Sequence, residues 1–206
     1  MSIQQSPEIL LENKGIKTNT FYIPPFDLKT GEIVVLNLLN GAHFYETEMF
    51  LKAIFIGETA HNAVTTHRKL TFVEHFIEPR FRRLFSPVTV GEYLKKNADL
   101  SSSFASKIYE NKWITLKTKV NALAGTPRKL LSLYATLSKT NQLVFDLVAL
   151  DPSGVEMAYN VVKEVASHGG SAILLDGFGD IKDNRAKFIA LEWINDTALK
   201  NTHESK

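Results

Sequence analysis

The stretch GEIVVLNLLNGAHFYETEMFLKAI, from Gly31 to Ile54, decides how the rest of the chain is read. Glu32 to Leu39 is almost continuously apolar, the pattern of a strand buried on both faces. Asn40-Gly41-Ala42 then makes a tight turn, and a helix is expected from about Tyr45 to Ile56. Met49, Phe50, Ala53 and Ile54 fall at helical spacing within it. The N-terminus of such a helix aims free backbone N–H groups at the turn, which suits a phosphate. A working phosphate cradle also needs small residues there, and a lysine. This chain places His43, Phe44 and Tyr45 in that position.

Around this unit, strands and helices alternate. PEILLENKGIK and TNTFYIPPF carry short apolar runs broken by Pro24-Pro25 and predict a β-rich beginning. RKLTFV, Arg68 to Val73, predicts another strand. From Glu74 to about Leu123 the pattern is helical. Thr89 is a fitting N-cap for SPVTVGEYLKKN, and SSSFASKIYENK and WITLKTKVNAL read as further short helices. AGTPRKLLSLYATLSK offers Thr126 as N-cap and Pro127 at the first helical position.

QLVFDL, SAILLDG and AKFIALEWI predict strands. Between the first two, SGVEMAYNVVKEVASHGG predicts a helix closed by Gly169-Gly170, with Val155, Ala158, Val162 and Val165 as its core stripe. Strands alternating with helices imply a mostly parallel sheet covered on both faces. Ligands of such sheets sit at strand carboxyl ends, here Asn40-Gly41, Asp146 and Asp176-Gly177. The expected organisation is α/β. Residues 1–73 form an N-terminal antiparallel β region and the first part of the core, 74–123 a helical subdomain, and 124–206 the remainder of the core. The tail KNTHESK reads as frayed.

Bulk composition narrows the function classes. The chain has 206 residues, 44% hydrophobic and 22% charged, which suits a globular domain with a substantial core. A net charge of +2, with interleaved signs, gives no argument for nucleic acid. Cysteine is absent, so disulfides, thiolate nucleophiles and Cys-ligated zinc are excluded. No signal-peptide pattern opens the chain, and no window approaches the roughly 18 uninterrupted apolar residues of a membrane span. Any membrane contact is expected to come through a partner. His61, His67 and His75 lack the spacing of a metal site.

The motif order resembles the nucleotide-binding subunit of an ABC transporter, a P-loop NTPase-like fold. GEIVVLNLLNGA resembles the strand and first half of its phosphate loop, and LFSPVTVGEYL the segment after its glutamine loop. LAGTPRKLLSLYATL is similar to the signature motif and its helix. VALDPSGVE is similar to the loop that crosses between two such subunits, and SAILLDGFGDI to the switch-histidine strand.

The departures from that pattern are as informative. On the phosphate loop (Asn40, Gly41, Ala42, His43, Phe44, Tyr45), the family's last glycine is His43, its lysine Phe44, its hydroxyl residue Tyr45 and an earlier glycine Leu38. The resemblance further implies His75 at the glutamine, Ala124 at the signature serine and Thr126 at its second glycine. It places Asp146 at the magnesium aspartate, Leu147 at the catalytic glutamate and Phe178 at the switch histidine. No adenine-stacking aromatic lies near Lys14 to Ile16. The resemblance puts all three bulky side chains at 43–45 in the phosphate volume, although a helix N-terminus packed on the core explains them more simply. ATP and magnesium binding are expected to be weak or absent and no residue catalytic.

Leu150 to Gly154 keeps the family's LDPSG loop. Asp151, Pro152, Ser153 and Gly154 are therefore expected at a partner interface, and Arg80, Arg82 and Arg83 at a permease-docking surface. The resemblance thus implies a non-catalytic cassette subunit, cytoplasmic and peripheral at the inner face of the cell membrane, paired with a permease and a competent homologous ATPase. A solvated face explains the arginines equally simply. The alternative is a magnesium-dependent enzyme on a phosphorylated small molecule, using a carboxylate cluster of Asp146, Asp176, Asp180 and Asp183.

Overall fold

The computed structural model describes residues 7–194 other than Asn40, Ala42, Pro79, Phe178, Asp180 and Lys182. The expectations for those six positions and for the tail lie outside the described residues. The chain opens with β1 (Ile9–Asn13), β2 (Ile16–Lys17), β3 (Phe21–Ile23), β4 (Phe26–Lys29) and β5 (Ile33–Asn37). Then come α1 (Phe44–Phe55), β6 (Val64–Thr66), β7 (Thr71–Phe72), α2 (Arg80–Phe85) and α3 (Val90–Asn97). Two 3₁₀ segments, Ser103–Glu110 and Val120–Ala122, lead into α4 (Gly125–Leu137), β8 (Gln142–Asp146) and α5 (Pro152–Ser167). The last elements are β9 (Ser171–Asp176), β10 (Lys187–Ala190) and β11 (Glu192–Trp193).

The central sheet runs β10-β5-β9-β8-β7, and every neighbouring pair is parallel. Two small antiparallel sheets, β4-β1-β6 and β11-β3-β2, flank it. Alternation along the central strands divides the interior. Val34, Leu36, Val144, Ile173 and Leu175 face α1 residues Leu51, Ile54 and Phe55 and the antiparallel strands. Ile33, Val35, Leu143, Phe145, Ala172 and Leu174 face the other way, onto α4 and α5. Val90, Leu94, Ile108, Ile114 and Val120 join that same cluster, so the segment around α3 shares the core of the sheet. Among the described residues no helix is long and apolar enough to cross a membrane.

Three local expectations are corrected. WITLKTKVNAL is mostly turn, because its backbone is used elsewhere. Val90 N–H donates to the Thr118 carbonyl at 2.8 Å, Val120 N–H donates to the Val88 carbonyl at 2.9 Å, and Thr118 Oγ1 accepts from Thr115 N–H. A threonine that captures nearby backbone competes with the helix. AKFIALEWI is two strands: β10 extends the parallel sheet, and after buried Leu191 the chain turns to pair β11 with β3. Finally, α4 begins at Gly125 with Ala124 as N-cap. Thr126 is therefore inside the helix, and Pro127 sits in the first turn, where its missing N–H costs nothing. Thr89, by contrast, caps α3 as read: it accepts from Glu92 N–H, and Glu92 Oε2 accepts from Thr89 N–H.

Candidate functional site

The carboxyl ends of β5, β9 and β8 lie side by side, with Asn37 opposite Asp176 and Asp146 opposite Leu175. Above them α1 starts at Phe44. Only Phe44 of the three bulky residues turns inward, its ring lying so close to Gly177 that a Cβ there would sit 2.7 Å from it. His43 is exposed and reaches Glu46 at 3.6 Å, and Tyr45 is 68% exposed. The expectation that all three fill the turn is thus corrected. Successive helical residues point about 100° apart, so one of three neighbours can face the sheet. Leu39, just before the turn, is held at φ 55° in the left-handed region, a strained position for a side-chain-bearing residue.

Asp146 ends β8 fully buried. Its Oδ2 accepts from Lys129 Nζ at 2.9 Å and meets His75 Nε2 at 2.9 Å, while its Oδ1 accepts from Val148 N–H at 2.8 Å. Burial alone pushes this carboxyl up. The His75 hydrogen bond and the charges of Lys129 and His75 outweigh it and hold Asp146 below the ordinary aspartate range. Burial pulls the Lys129 ammonium down, and the Asp146 carboxylate opposes that pull. Leu147, the next residue, packs into the core beneath α4 and α5.

A second buried acid, Glu48, stands on α1 at 2% exposure. Its Oε1 has no hydrogen-bond partner among the described residues. Burial, then the nearby Asp146 charge, raises its pKa to about 7, against weaker opposition from His75, Lys129 and Lys52. Sequence reading missed both Lys129 and Glu48. The signal for Glu48 was present: it falls three residues before buried Leu51 and four after Phe44, on the apolar stripe of α1.

The start of α4 is clamped to the loop after β8. A Cβ on Gly125 would lie 2.2 Å from the Ala149 carbonyl, and one on Gly154 would lie 2.1 Å from Thr126 Oγ1. Ala149 itself has φ 64°. Within LDPSG, Asp151 is the N-cap of α5, accepting from Gly154 N–H and Ser153 Oγ at 2.7 Å each, with Pro152 in the first turn. Asp151, Pro152 and Ser153 are exposed, whereas Gly154 is buried against α4 within this chain.

The four-carboxylate cluster does not form among the described residues. Asp183 lies at the amino end of the sheet, just before β10, where it meets Lys163 at 2.8 Å. Asp176 Oδ2 accepts from Gly179 N–H, and Asp180 is outside the described residues, as are Phe178, Asn40 and Ala42. No group of three or more His, Asp or Glu among the described residues is placed to hold a metal. An aromatic ring does cover Gly15: Tyr22 reaches it from β3. Arg80, Arg82 and Arg83 belong to α2, none of whose residues is buried. Phe81, Leu84 and Phe85 there are 75%, 77% and 72% exposed.

No family model matches this sequence, and no curated protein matches it. Solved structures do. A nucleotide-free ATP-binding cassette from an ABC transporter superposes with a TM-score of 0.64 at 14% identity, covering 91% of this chain and 90% of that one. CbiO1 from Clostridium perfringens, part of the ABC transporter complex CbiONQ, gives 0.58 at 16% identity over 95% and 92%. RNase-L Inhibitor gives 0.59 at 16% identity, covering 97% of this chain and 42% of its own length. With its parallel sheet, flanking antiparallel strands and helical segment between β7 and α4, this chain has the fold of an ABC-type ATP-binding cassette.

Proposed function

We propose that this chain is a non-catalytic subunit of the ABC type, which assembles with a membrane permease and a competent homologous ATPase in a structural or regulatory role. It sits in the cytoplasm, peripheral at the inner face of the cell membrane, and binds ATP and magnesium weakly or not at all. The observation that carries this reading is the pairing of Asp146 with Lys129. A carboxylate already satisfied by an internal ammonium, an imidazole and a backbone N–H has little left to offer a divalent cation. The Phe44 ring on Gly177 supports the same conclusion at the phosphate position. The exposed apolar and basic side chains of α2 suit a permease surface.

Titration of the purified chain with fluorescent ATP and magnesium tests the first half. No saturation below millimolar concentration is expected, and micromolar affinity or turnover of ATP would overturn the reading. Capture of the tagged chain from detergent-solubilised native membranes tests the second half. A permease and an intact ATPase are expected, and recovery from the soluble fraction without either sinks the assembly. The magnesium-dependent enzyme finds less support, since Asp183 lies at the far end of the sheet.

A further inference from the structure

Between α1 and the segment that follows β7 lies a cavity of about 570 Å³. Its walls are largely apolar, formed by Phe44, Met49, Phe72, Ile77 and Val148, and Glu48 lines it too. A space of this size matches a small organic ligand. A carboxyl in such surroundings is costly unless something pairs with it. Among the described residues none forms a hydrogen bond to Glu48 Oε1. Lys52 is engaged by Glu74 at 2.7 Å, and Lys129 and His75 are engaged by Asp146. Among the charged groups lining the cavity, Glu74 and Lys52 cancel, His75 serves Asp146, and Glu48 remains without a counter-ion.

We infer that this cavity is a binding site for a hydrophobic amine, whose ammonium pairs with the Glu48 carboxylate while its apolar body fills the space between α1 and Phe72. The aromatic lining already accommodates one cation: Lys52 Nζ stands 4.2 Å from the centroid of the Phe72 ring. An anion is disfavoured by Glu48, and a neutral apolar ligand leaves the carboxyl unpaired. Near neutral pH the raised pKa of Glu48 keeps the acid poised, and an incoming ammonium stabilises its ionised form. This inference is independent of the transporter reading, since it involves neither nucleotide nor permease.

Calorimetric titration of the full chain at pH 8 with 4-phenylbutylamine, and with the neutral alcohol 4-phenylbutanol, tests it. The amine is expected to bind at least about ten-fold tighter than the alcohol, the worth of a charge-assisted hydrogen bond in a largely apolar site. Glu48→Gln, which keeps the side-chain shape, should level the two. Ile77→Arg, at an exposed rim position, should weaken the amine while leaving the fold intact. Equal binding of both probes to the wild type, binding of neither, or an amine preference that survives Glu48→Gln would overturn the site. Failure of the nucleotide titration described above would leave this result untouched.

Discussion

Asp146 and Glu48 are two buried carboxyls facing the same end of the sheet, and they have opposite fates. Asp146 has an ammonium, an imidazole and a backbone N–H within 2.9 Å. Glu48 has a burial nearly as complete and, among the described residues, no partner for its Oε1. Burial pushes both carboxyls upward, so burial alone cannot account for the difference. The partners account for it: they hold Asp146 ionised and leave Glu48 at about 7. The charge state of a buried acid is thus decided by which neighbouring helix carries a donor, and α4 carries one only for Asp146.

The strongest way to break this contrast is to remove the donor. Lys129→Met strands the Asp146 charge in the interior and should cost about 3–5 kcal/mol at neutral pH, read by urea denaturation. Adding Asp146→Asn to it should recover most of that loss. If the single variant is as stable as the wild type, the pair is not what holds Asp146 ionised.

The second prediction concerns pH and has a definite sign. The folded pKa of Glu48 lies above its ordinary value, about 7 against 4.5. Its contribution to stability is therefore fully present below pH 4.5 and is lost as pH rises through about 7. Glu48→Gln should then gain on the wild type across that window, by up to about 3 kcal/mol at the alkaline end. Asp146 runs the other way: its pKa is lowered, so its contribution is present above the unfolded value of 3.8 and is lost as pH falls through the folded one. A flat difference between wild type and Glu48→Gln from pH 4.5 to pH 8 rules out an acid raised by burial.

A smaller effect sharpens the comparison through the backbone. Gly125→Ala forces a Cβ into the Ala149 carbonyl and should cost about 1–3 kcal/mol by displacing the start of α4. Because α4 carries Lys129, the same variant should shift the acid limb of the stability profile toward higher pH. An unchanged acid limb would mean that Lys129 follows Asp146 regardless of where α4 begins.

The framework of this arrangement was legible in the residues. The doubly buried strand at Ile33–Asn37, the strands ending at Asp146 and Asp176 and the Thr89 cap follow from local pattern, because period and capping are local physics. The charge pairing was not. Lys129 and Asp146 are 17 positions apart and meet only once α4 has been laid across the sheet. Glu48 reads as one more polar helix residue until its neighbours on the stripe, Leu51 and Phe55, are seen to be buried. His43 and Tyr45 erred in the opposite direction, since their bulk suggested filling a volume that helix geometry gives to Phe44 alone. The single strand read into AKFIALEWI failed for a topological reason: Leu191 turns the chain from one sheet to another.

The counter-ion of Asp146 is a side chain rather than a solute. A dissolved cation leaves its site at a rate and occupancy set by its concentration. Lys129 is tethered by the helix it belongs to, so its local concentration is fixed by covalent geometry. The charge balance of this pair consequently does not track the ionic supply around the molecule: dilution, chelation and depletion leave it as it is, and acid or unfolding takes it apart.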